Sequence, residues 1–412
     1  PKLQTSPTAG VKLKDANMSG PLSGYRIIDL TSMVSGPLAT MILADQGAEV
    51  LKIENPKGGD YTRGVSSRNG GFSASFLNNN RNKKSIALNL KDASGVKLLL
   101  DLVKGADVFV QNFRPGVTDR IGVGEKAIRA IAPDIIYVSI SGFGHTGPYA
   151  KKPVYDPLVQ ALSGLTSIQG GADNVRPRLV RTILPDKLTG FTAAQAITAA
   201  LLARERNGVG QHVQLSMLDS VVSFLWASDM SSQTFVGHEI AQEKAQSFID
   251  LIYETKDSYI SVAVQSNKEW QGLTRALNKP EWLEDERFKT SALRHHNIDD
   301  RLRLTQEVLR GKTAAQWLEL LEAEDVPCAP VLHRSEVISH PQMENEHPEA
   351  GRLRQARGAA VFSTTPPTQR YGAPLLGQHS VEELKKIGLD DNDLEQYIAE
   401  GIVAVPAGEP QS

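Results

Sequence analysis

Asp186 is the residue best placed to carry covalent chemistry. It stands in Ile183-Leu-Pro-Asp-Lys-Leu-Thr-Gly190, directly before a long apolar-periodic stretch. The free N–H groups of a helix start favour negative charge, so one reading is a helix-start acid with no further role. The other is a carboxylate nucleophile that forms an acyl intermediate. The local pattern leaves both open. Cations cluster upstream. Asn78-Asn-Asn-Arg-Asn-Lys-Lys-Ser85 carries Arg81, Lys83 and Lys84 into a strand, and Lys91, Arg114 and Arg120 follow. A polar cationic run of this kind suggests phosphate binding, with solvated surface as the plain alternative. Arg176, Arg178 and Arg181 lie just before Asp186; they read as an arginine fork for a carboxylate, as phosphate contacts, or as surface charge.

Other chemistries find less support. Gly142-Phe-Gly-His-Thr-Gly147 follows a strand, as a dinucleotide loop must. Pro148 and Pro153 then bar a helix in register, and no acid stands about 20 residues on. The glycines still permit close backbone approach to a ligand at a sheet edge. Gly122-Val-Gly-Glu-Lys-Ala127 lacks the preceding strand. His295 and His296 are adjacent and cannot share a tetrahedral metal face, and no paired metal-ligand spacing occurs, so no metal site is expected. Cys328 lies between two prolines and reads as packing rather than a nucleophile. No serine-hydrolase elbow follows a strand.

The elements that must position these residues alternate. Strands are expected over Tyr25–Leu30, Glu49–Ile53, Ser85–Asn89, Val108–Val110, Ile135–Ile140 and His212–Ser216. Helices are expected over Pro37–Gln46, Ala93–Val103, Glu125–Ala132, Thr189–Arg206 and Met217–Ser231. Such alternation implies a mostly parallel, doubly wound α/β sheet. A smaller α+β domain follows, with a strand at Ser258–Val264 and helices over Glu269–Leu277, Arg301–Arg310 and Ala314–Glu324. The expected division is a flexible leader over 1–20, a large domain over 21–230, a linker over 231–244, a small domain over 245–326, a return linker over 327–350 and the rest of the large domain over 351–404.

With 412 residues, two domains are expected. A formal net charge of -2 gives no reason to expect nucleic acid or an acidic membrane as partner. No apolar run reaches the ~18 residues of a membrane span. The single cysteine excludes an internal disulfide framework and suggests a reducing, cytoplasmic compartment. The first 20 residues do not resemble a secretory signal, and Met18 is a possible natural start.

Taken together, several short segments resemble the family III CoA-transferases, the group of formyl-CoA transferases, carnitine CoA-transferases and 2-methylacyl-CoA racemases. They are Pro21–Leu30, Ser35-Gly-Pro37, Gly47–Glu54, Gly59-Asp60 with Thr62-Arg63, Asn80–Ser85, Asp107–Asn112, Ser141–Pro148 and Leu375-Leu-Gly-Gln-His379. The ordered set spans the chain from Leu22 to about Val403.

The resemblance implies a Rossmann-like large domain built from both chain ends and an interlocked homodimer. It implies Asp186 as the catalytic residue. It places CoA contacts at Val34, Ser35, Asn55, Leu88, Lys91, Asn112, Phe113, Arg114, Arg120, Ser141, Gly142, Phe143 and Gly144. Coenzyme A and acyl-CoA enter as substrates with carboxylic acids, and no cofactor is held permanently. The implied reaction passes through an aspartyl anhydride and an aspartyl-CoA thioester. The racemases of the family pair the aspartate with a histidine before an Asp about 30 residues upstream. Here Tyr155 fills that position ahead of Asp156. A phenol of pKa ~10 is a poor substitute for an imidazole of ~6.5 in two-base proton exchange. Transferase is therefore expected over racemase, with a non-catalytic acyl-CoA-binding protein as the other alternative. The oxalate-using branch carries a glycine run over its site. None occurs around Val264-Gln-Ser-Asn-Lys268, so a small dicarboxylate other than oxalate is the expected acceptor.

Overall fold

Apolar residues in the first two strands come in pairs rather than in alternation, which marks a sheet covered on both faces. In the computed structural model, which describes residues 20–171, 175–239, 251–339, 344–347 and 350–406, that is what they build. Strands β1 (Arg26–Leu30), β2 (Glu49–Glu54), β3 (Lys83–Leu88), β4 (Val108–Gln111), β5 (Ile136–Ser141) and β6 (His212–Ser216) are parallel and lie in the order β3-β2-β1-β4-β5-β6. A short strand, Val403–Ala404, adds antiparallel to the β3 edge. Ile27 and Val50 face one apolar layer, with Ala39, Leu43, Ala193 and Ile197. Ile28 and Leu51 face the other, with Leu98, Leu102 and Leu384. The first layer is supplied by α1 (Ser35–Asp45) and by the long helix described below, the second by α2 (Ala93–Val103) and the C-terminal helices.

This strand order reverses direction between β1 and β4. A doubly wound sheet leaves a crevice at the carboxyl ends of the strands on either side of such a switch, where ligands bind. The loops that follow β1 and β4 therefore decide the site. They clasp one another: the Ser32 N–H donates to the Asn112 side-chain oxygen at 3.0 Å, and the Asn112 amide donates to the Ser32 carbonyl at 2.8 Å.

Two helices depart from the sequence reading. Asp156–Leu162 (α3) is a helix that the sequence reading did not include, with Pro157 in its first turn, where a missing N–H costs nothing; the stretch before it, from Pro148 to Tyr155, is not helical, as Pro148 and Pro153 require. The long helix, α4, runs Leu184–Asn207 and so begins five residues earlier than expected, with Pro185 again in the first turn. Asp186 lies inside that turn rather than ahead of it. A third helix, Ala74–Asn80, arises in a Gly/Ser/Asn-rich segment for which no element is expected above. The Ser73 hydroxyl caps it, and Phe76 and Leu77 bury its inner face. Helix α5 (Met217–Trp226) stops short of the Ser231 expected.

The chain divides into two compact units, Pro1–Glu243 with Glu344–Ser412, and Lys244–Met343. In the second, strands β7 (Ile252–Glu254), β8 (Tyr259–Val262) and β9 (Cys328–Pro330) make an antiparallel sheet in the order β9-β8-β7. Helices α6 (Asn267–Ala276), α7 (Ser291–His296), α8 (Ile298–Leu309) and α9 (Ala314–Ala323) accompany it, around a core of Trp270, Trp282, Phe288, Trp317 and Leu321. Of the expected leader, residues 1–19 lie outside the described residues. So do 240–244 of the expected linker, 340–343 and 348–349 of the return linker, and Met18. Among the described residues no helix is long and apolar enough to cross a membrane.

Candidate active site

The β1–α1 loop, Thr31–Val34, is held from beneath by buried charges. Asp29, on β1, accepts from the Thr31 N–H at 2.9 Å and from Thr40 Oγ1 at 2.7 Å. Lys83 Nζ reaches Asp29 at 3.0 Å and the Pro37 carbonyl at 2.9 Å. Lys52 Nζ donates to the Thr31 carbonyl at 2.9 Å and pairs with Asp60 at 2.9 Å. Asp60 in turn accepts from the Met33 N–H at 3.2 Å, fixing Met33 at φ 71°, a conformation few side chains adopt unaided. Burial alone would push Asp29 up, but the Lys83 and Lys52 ammonium groups hold it well below the usual carboxylate range.

The loop delivers Ser35 to the start of α1, opposite Asp186 in the first turn of α4. The two helices pack closely at Gly190, where an added Cβ would meet the Ser35 carbonyl at 2.9 Å. The Asp186 carboxyl is pushed up to about 6. Burial is the largest cause and the Asp156 carboxylate the second, while the Ser35 N–H and hydroxyl oppose both. Asp156 opens α3, is 4% exposed, and accepts from the Asp186 N–H at 3.2 Å and from the Gln160 amide at 2.7 Å. A nucleophilic carboxylate must be ionised, yet one stabilised too strongly attacks poorly. A value near 6 leaves Asp186 charged at neutral pH without a full ion pair to quench it.

Asp186 faces a cavity of about 170 Å³ at the switch point. Of the residues picked out from sequence, Ser35, Asn112, Phe113, Arg114, Ser141 and Gly142 line it. A second cavity of about 380 Å³ follows the carboxyl ends of β1, β2 and β3, and Asn55, Leu88, Lys91 and Phe113 line that one. Ser32 and Phe113 belong to both walls, so the two cavities adjoin. The other four line neither. Val34 is buried, and Arg120 is exposed on a short turn of helix. Phe143 packs among apolar side chains with its ring 5.8 Å from Tyr149. The Gly144 N–H donates to Ser141 Oγ at 3.1 Å. Leu88 is also a core residue, which leaves mainly its backbone for a ligand.

Several sequence expectations change. Within the cationic run Arg81 pairs with Asp45 at 2.7 Å, Lys83 with Asp29, and Lys84 with Glu383 at 2.7 Å, so all three are structural ions rather than a phosphate site. Arg176, Arg178 and Arg181 are exposed and line neither cavity. Lys152, overlooked in the sequence, lines the Asp186 cavity, with its ammonium 3.4 Å from the Tyr149 ring centre. Only its place two residues past Ala150 in a loop after the glycines could have flagged it. Tyr155 lines the same cavity and is 70% exposed. Cys328 packs against the core of the second unit, and burial pushes its thiol up, away from reactivity. Among the described residues no group of three His, Cys, Asp or Glu side chains could hold a metal.

Known proteins are similar to this chain in architecture and sequence. A structure of the Mycobacterium tuberculosis protein Rv3272 superposes with a TM-score of 0.78 at 30% identity, covering 89% of this chain and 100% of the other. The human succinyl-CoA:glutarate CoA-transferase is 36% identical over 404 residues, covering 94% of this chain and 91% of that protein. The acetyl-CoA:oxalate CoA-transferase of Acetobacter aceti is 34% identical over 372 residues, covering 88% and 95%. The family model described as CoA-transferase family III matches residues 22–380. With a switch-point crevice, an acid at its centre and this likeness along nearly the whole length, the chain belongs to CoA-transferase family III.

Proposed function

We propose that the protein moves CoA from an acyl-CoA donor to a small dicarboxylic acid through covalent intermediates on Asp186. The observation that carries this is the Asp186 carboxyl. It is half-buried at a helix start, pushed up to about 6, and faces a cavity that adjoins a larger one. The larger cavity suits the nucleotide end of CoA, with Lys91 and Asn55 on its wall. The smaller suits the thioester. No cofactor stays bound, because CoA itself enters and leaves as substrate.

In the first step an Asp186 oxygen attacks the thioester carbonyl. The C–S bond breaks, CoA thiolate leaves, and a mixed anhydride remains. The thiolate then attacks the aspartyl carbonyl, releasing the donor acid and leaving an aspartyl-CoA thioester. An acceptor carboxylate attacks that thioester carbonyl, expelling thiolate and forming a second anhydride. Thiolate attack on the acceptor's carbonyl yields the new acyl-CoA and frees Asp186. Each step keeps an activated acyl group, so no ATP is consumed. The Ser35 N–H and hydroxyl, which face the carboxylate, are placed to stabilise the oxyanion of aspartyl attack.

Arg114 and Lys152 are the cations on the wall of the Asp186 cavity. Either can take the far carboxylate of a dicarboxylate, the class named for the human and Acetobacter relatives. An interlocked homodimer is part of this reading. It is supported by large apolar side chains left exposed on α4 and beyond α5, among them Phe191 at 60% and Phe235 at 70%. Mass spectrometry of CoA thioesters after mixing the protein with succinyl-CoA and labelled glutarate tests the reading. Labelled glutaryl-CoA is expected, and none from Asp186→Ala. Turnover retained by that variant would refute the assignment.

A further inference from the structure

The second unit holds a cavity of about 370 Å³ that CoA transfer does not use, lined in part by Val264, Gln265, Arg294, His295, Ile298 and Arg301. It shares no residue with the two cavities around Asp186. Two arginines withdrawn from solvent are ordinarily matched by carboxylates. These two are not.

Arg294, on α7, is 3% exposed. Its Nη1 donates to the Phe288 carbonyl at 2.9 Å, its Nη2 donates to the Asn267 side-chain oxygen, and its guanidinium lies 5.5 Å from the Trp270 ring centre. Every one of these partners is neutral. Arg301, half-buried near the start of α8, has no side-chain hydrogen bond or ion pair among the described residues. Burial weighs on both guanidinium groups; the Arg301 charge adds to it at Arg294, and at Arg301 only the Tyr253 phenol opposes it. Neighbouring acids are engaged elsewhere: Asp285 and Asp300 with Arg287 at 2.8 and 3.1 Å, and Glu254 with Arg310 at 3.0 Å. Among the described residues the cavity thus concentrates positive charge beside the apolar side chains of Leu251, Val264 and Ile298, with no counter-ion.

We propose that this cavity is a binding site for a small oxyanion, a phosphate or a carboxylate, held by the guanidinium fork of Arg301 with the Arg294 charge behind it. An arginine fork matches two oxygens of either group, and Gln265 and His295 supply further polar atoms on the wall. The proposal stands apart from the reading of Asp186 and survives its failure.

Isothermal titration of the full chain with inorganic phosphate and, separately, with glutarate tests it. Ionic strength is held constant with chloride, and CoA is present at saturation to occupy the large unit's cavities. Saturable binding of one or both anions is expected, weakened about tenfold or more in Arg301→Gln and by less in Arg301→Lys, which keeps the charge but not the fork. Whichever anion binds names the source. No saturable binding beyond that of chloride overturns the proposal, as does equal binding by wild type and Arg301→Gln. Among the described residues the Arg301 side chain forms no hydrogen bond or ion pair and has only the Tyr253 phenol as an electrostatic neighbour that favours its charge, so Arg301→Gln should melt within a few degrees of wild type and keep its CoA-transfer rate. A variant that fails to fold would reveal an internal partner for Arg301, and the proposal would fall.

Discussion

The backbone N–H of Asp186 donates to Asp156 Oδ2 at 3.2 Å, so the carboxylate that opens α3 caps the first turn of α4. The bond draws two acids together, and the buried Asp156 charge helps to push the Asp186 carboxyl up to about 6. Asp156 therefore sets when the nucleophile becomes available. In wild type the rate of CoA transfer should rise with pH through about 6, as Asp186 ionises. Asp156→Asn keeps an oxygen to accept the N–H but removes the charge, so the rise should move to lower pH. The change costs about 1 kcal/mol of stability, because the Gln160 amide loses an acceptor. A pH profile of kcat/KM decides it, and an unmoved acid limb would show that Asp156 does not act on Asp186.

Replacing Asp186 itself should separate activity from stability. Its folded value of about 6 exceeds the ordinary 3.8. The folded state then holds this proton more tightly than the unfolded chain does. Ionisation costs nothing below pH 4, costs more as pH rises from 4 to 6, and costs its full amount above 6. The gap corresponds to about 3 kcal/mol at most. Asp186→Asn is expected to lose turnover by about a thousandfold or more while raising stability at pH 7 by up to that amount. Urea unfolding at pH 4 and pH 7 would check it. A gain equal at both pH values would mean that the carboxylate is not strained by burial.

The sheet and its crevice were readable from the residues because they depend on local patterns. Ala93–Val103 and His212–Ser216 fall at the bounds that periodicity indicates. Alternation of strand and helix implied the parallel sheet. The helices that escaped notice, Ala74–Asn80 and Asp156–Leu162, owe their existence to a serine cap and to proline in a first turn. Composition counts both residue types as breakers. The site was half legible. Asp186 could be singled out by type and place, but its link to Asp156 joins residues 30 apart, and its contact with Ser35 joins residues 151 apart. Likewise Lys84 reads as a free cation until Glu382 and Glu383, almost 300 residues on, are brought to it. Charge is visible in a sequence, whereas the partner that consumes it is a property of the fold.

The buried ions under the β1–α1 loop should make the protein sensitive to acid and to single deletions. Lys52 and Asp60 are nearly inaccessible and bonded to each other. Asp60→Asn leaves the Lys52 charge short of its partner, an imbalance that typically costs 3–5 kcal/mol, roughly, in a buried pair. Burial pushes Asp29, Glu54 and Asp60 up, but their cationic and hydrogen-bonding neighbours outweigh it and hold all three below the usual carboxylate range. Their contribution is present above the ordinary carboxylate pKa of ~4 and is lost as pH falls through their depressed values. Wild type should unfold cooperatively in acid. Asp60→Asn should unfold at lower urea concentration at pH 7 and lose the smaller share of its remaining stability on acidification. Equal urea midpoints for the two proteins would rule out a stabilising role for the pair.

Gly190 tests whether the register of α1 against α4 matters to the chemistry. An alanine Cβ there would lie 2.9 Å from the Ser35 carbonyl and 3.0 Å from Leu38 Cδ2, so the helices must part by a few tenths of an ångström. Overpacking of this kind costs about 1–3 kcal/mol, and alanine returns about 1 kcal/mol through helix propensity. Net stability should thus fall by no more than about 2 kcal/mol. Asp186 sits one turn before Gly190, and Ser35 is the group pushed away, so the main loss should be in kcat. Small misplacements of reacting groups cost up to about a hundredfold in rate, and roughly tenfold is expected for Gly190→Ala. KM for the acyl-CoA should hold, because the larger cavity is built by β1, β2 and β3. The acid limb of the pH profile should also move upward, since the Ser35 N–H and hydroxyl, which favour the charged carboxylate, recede. A rise in KM with kcat unchanged would mean instead that the contact between the two helices shapes CoA binding rather than the nucleophile.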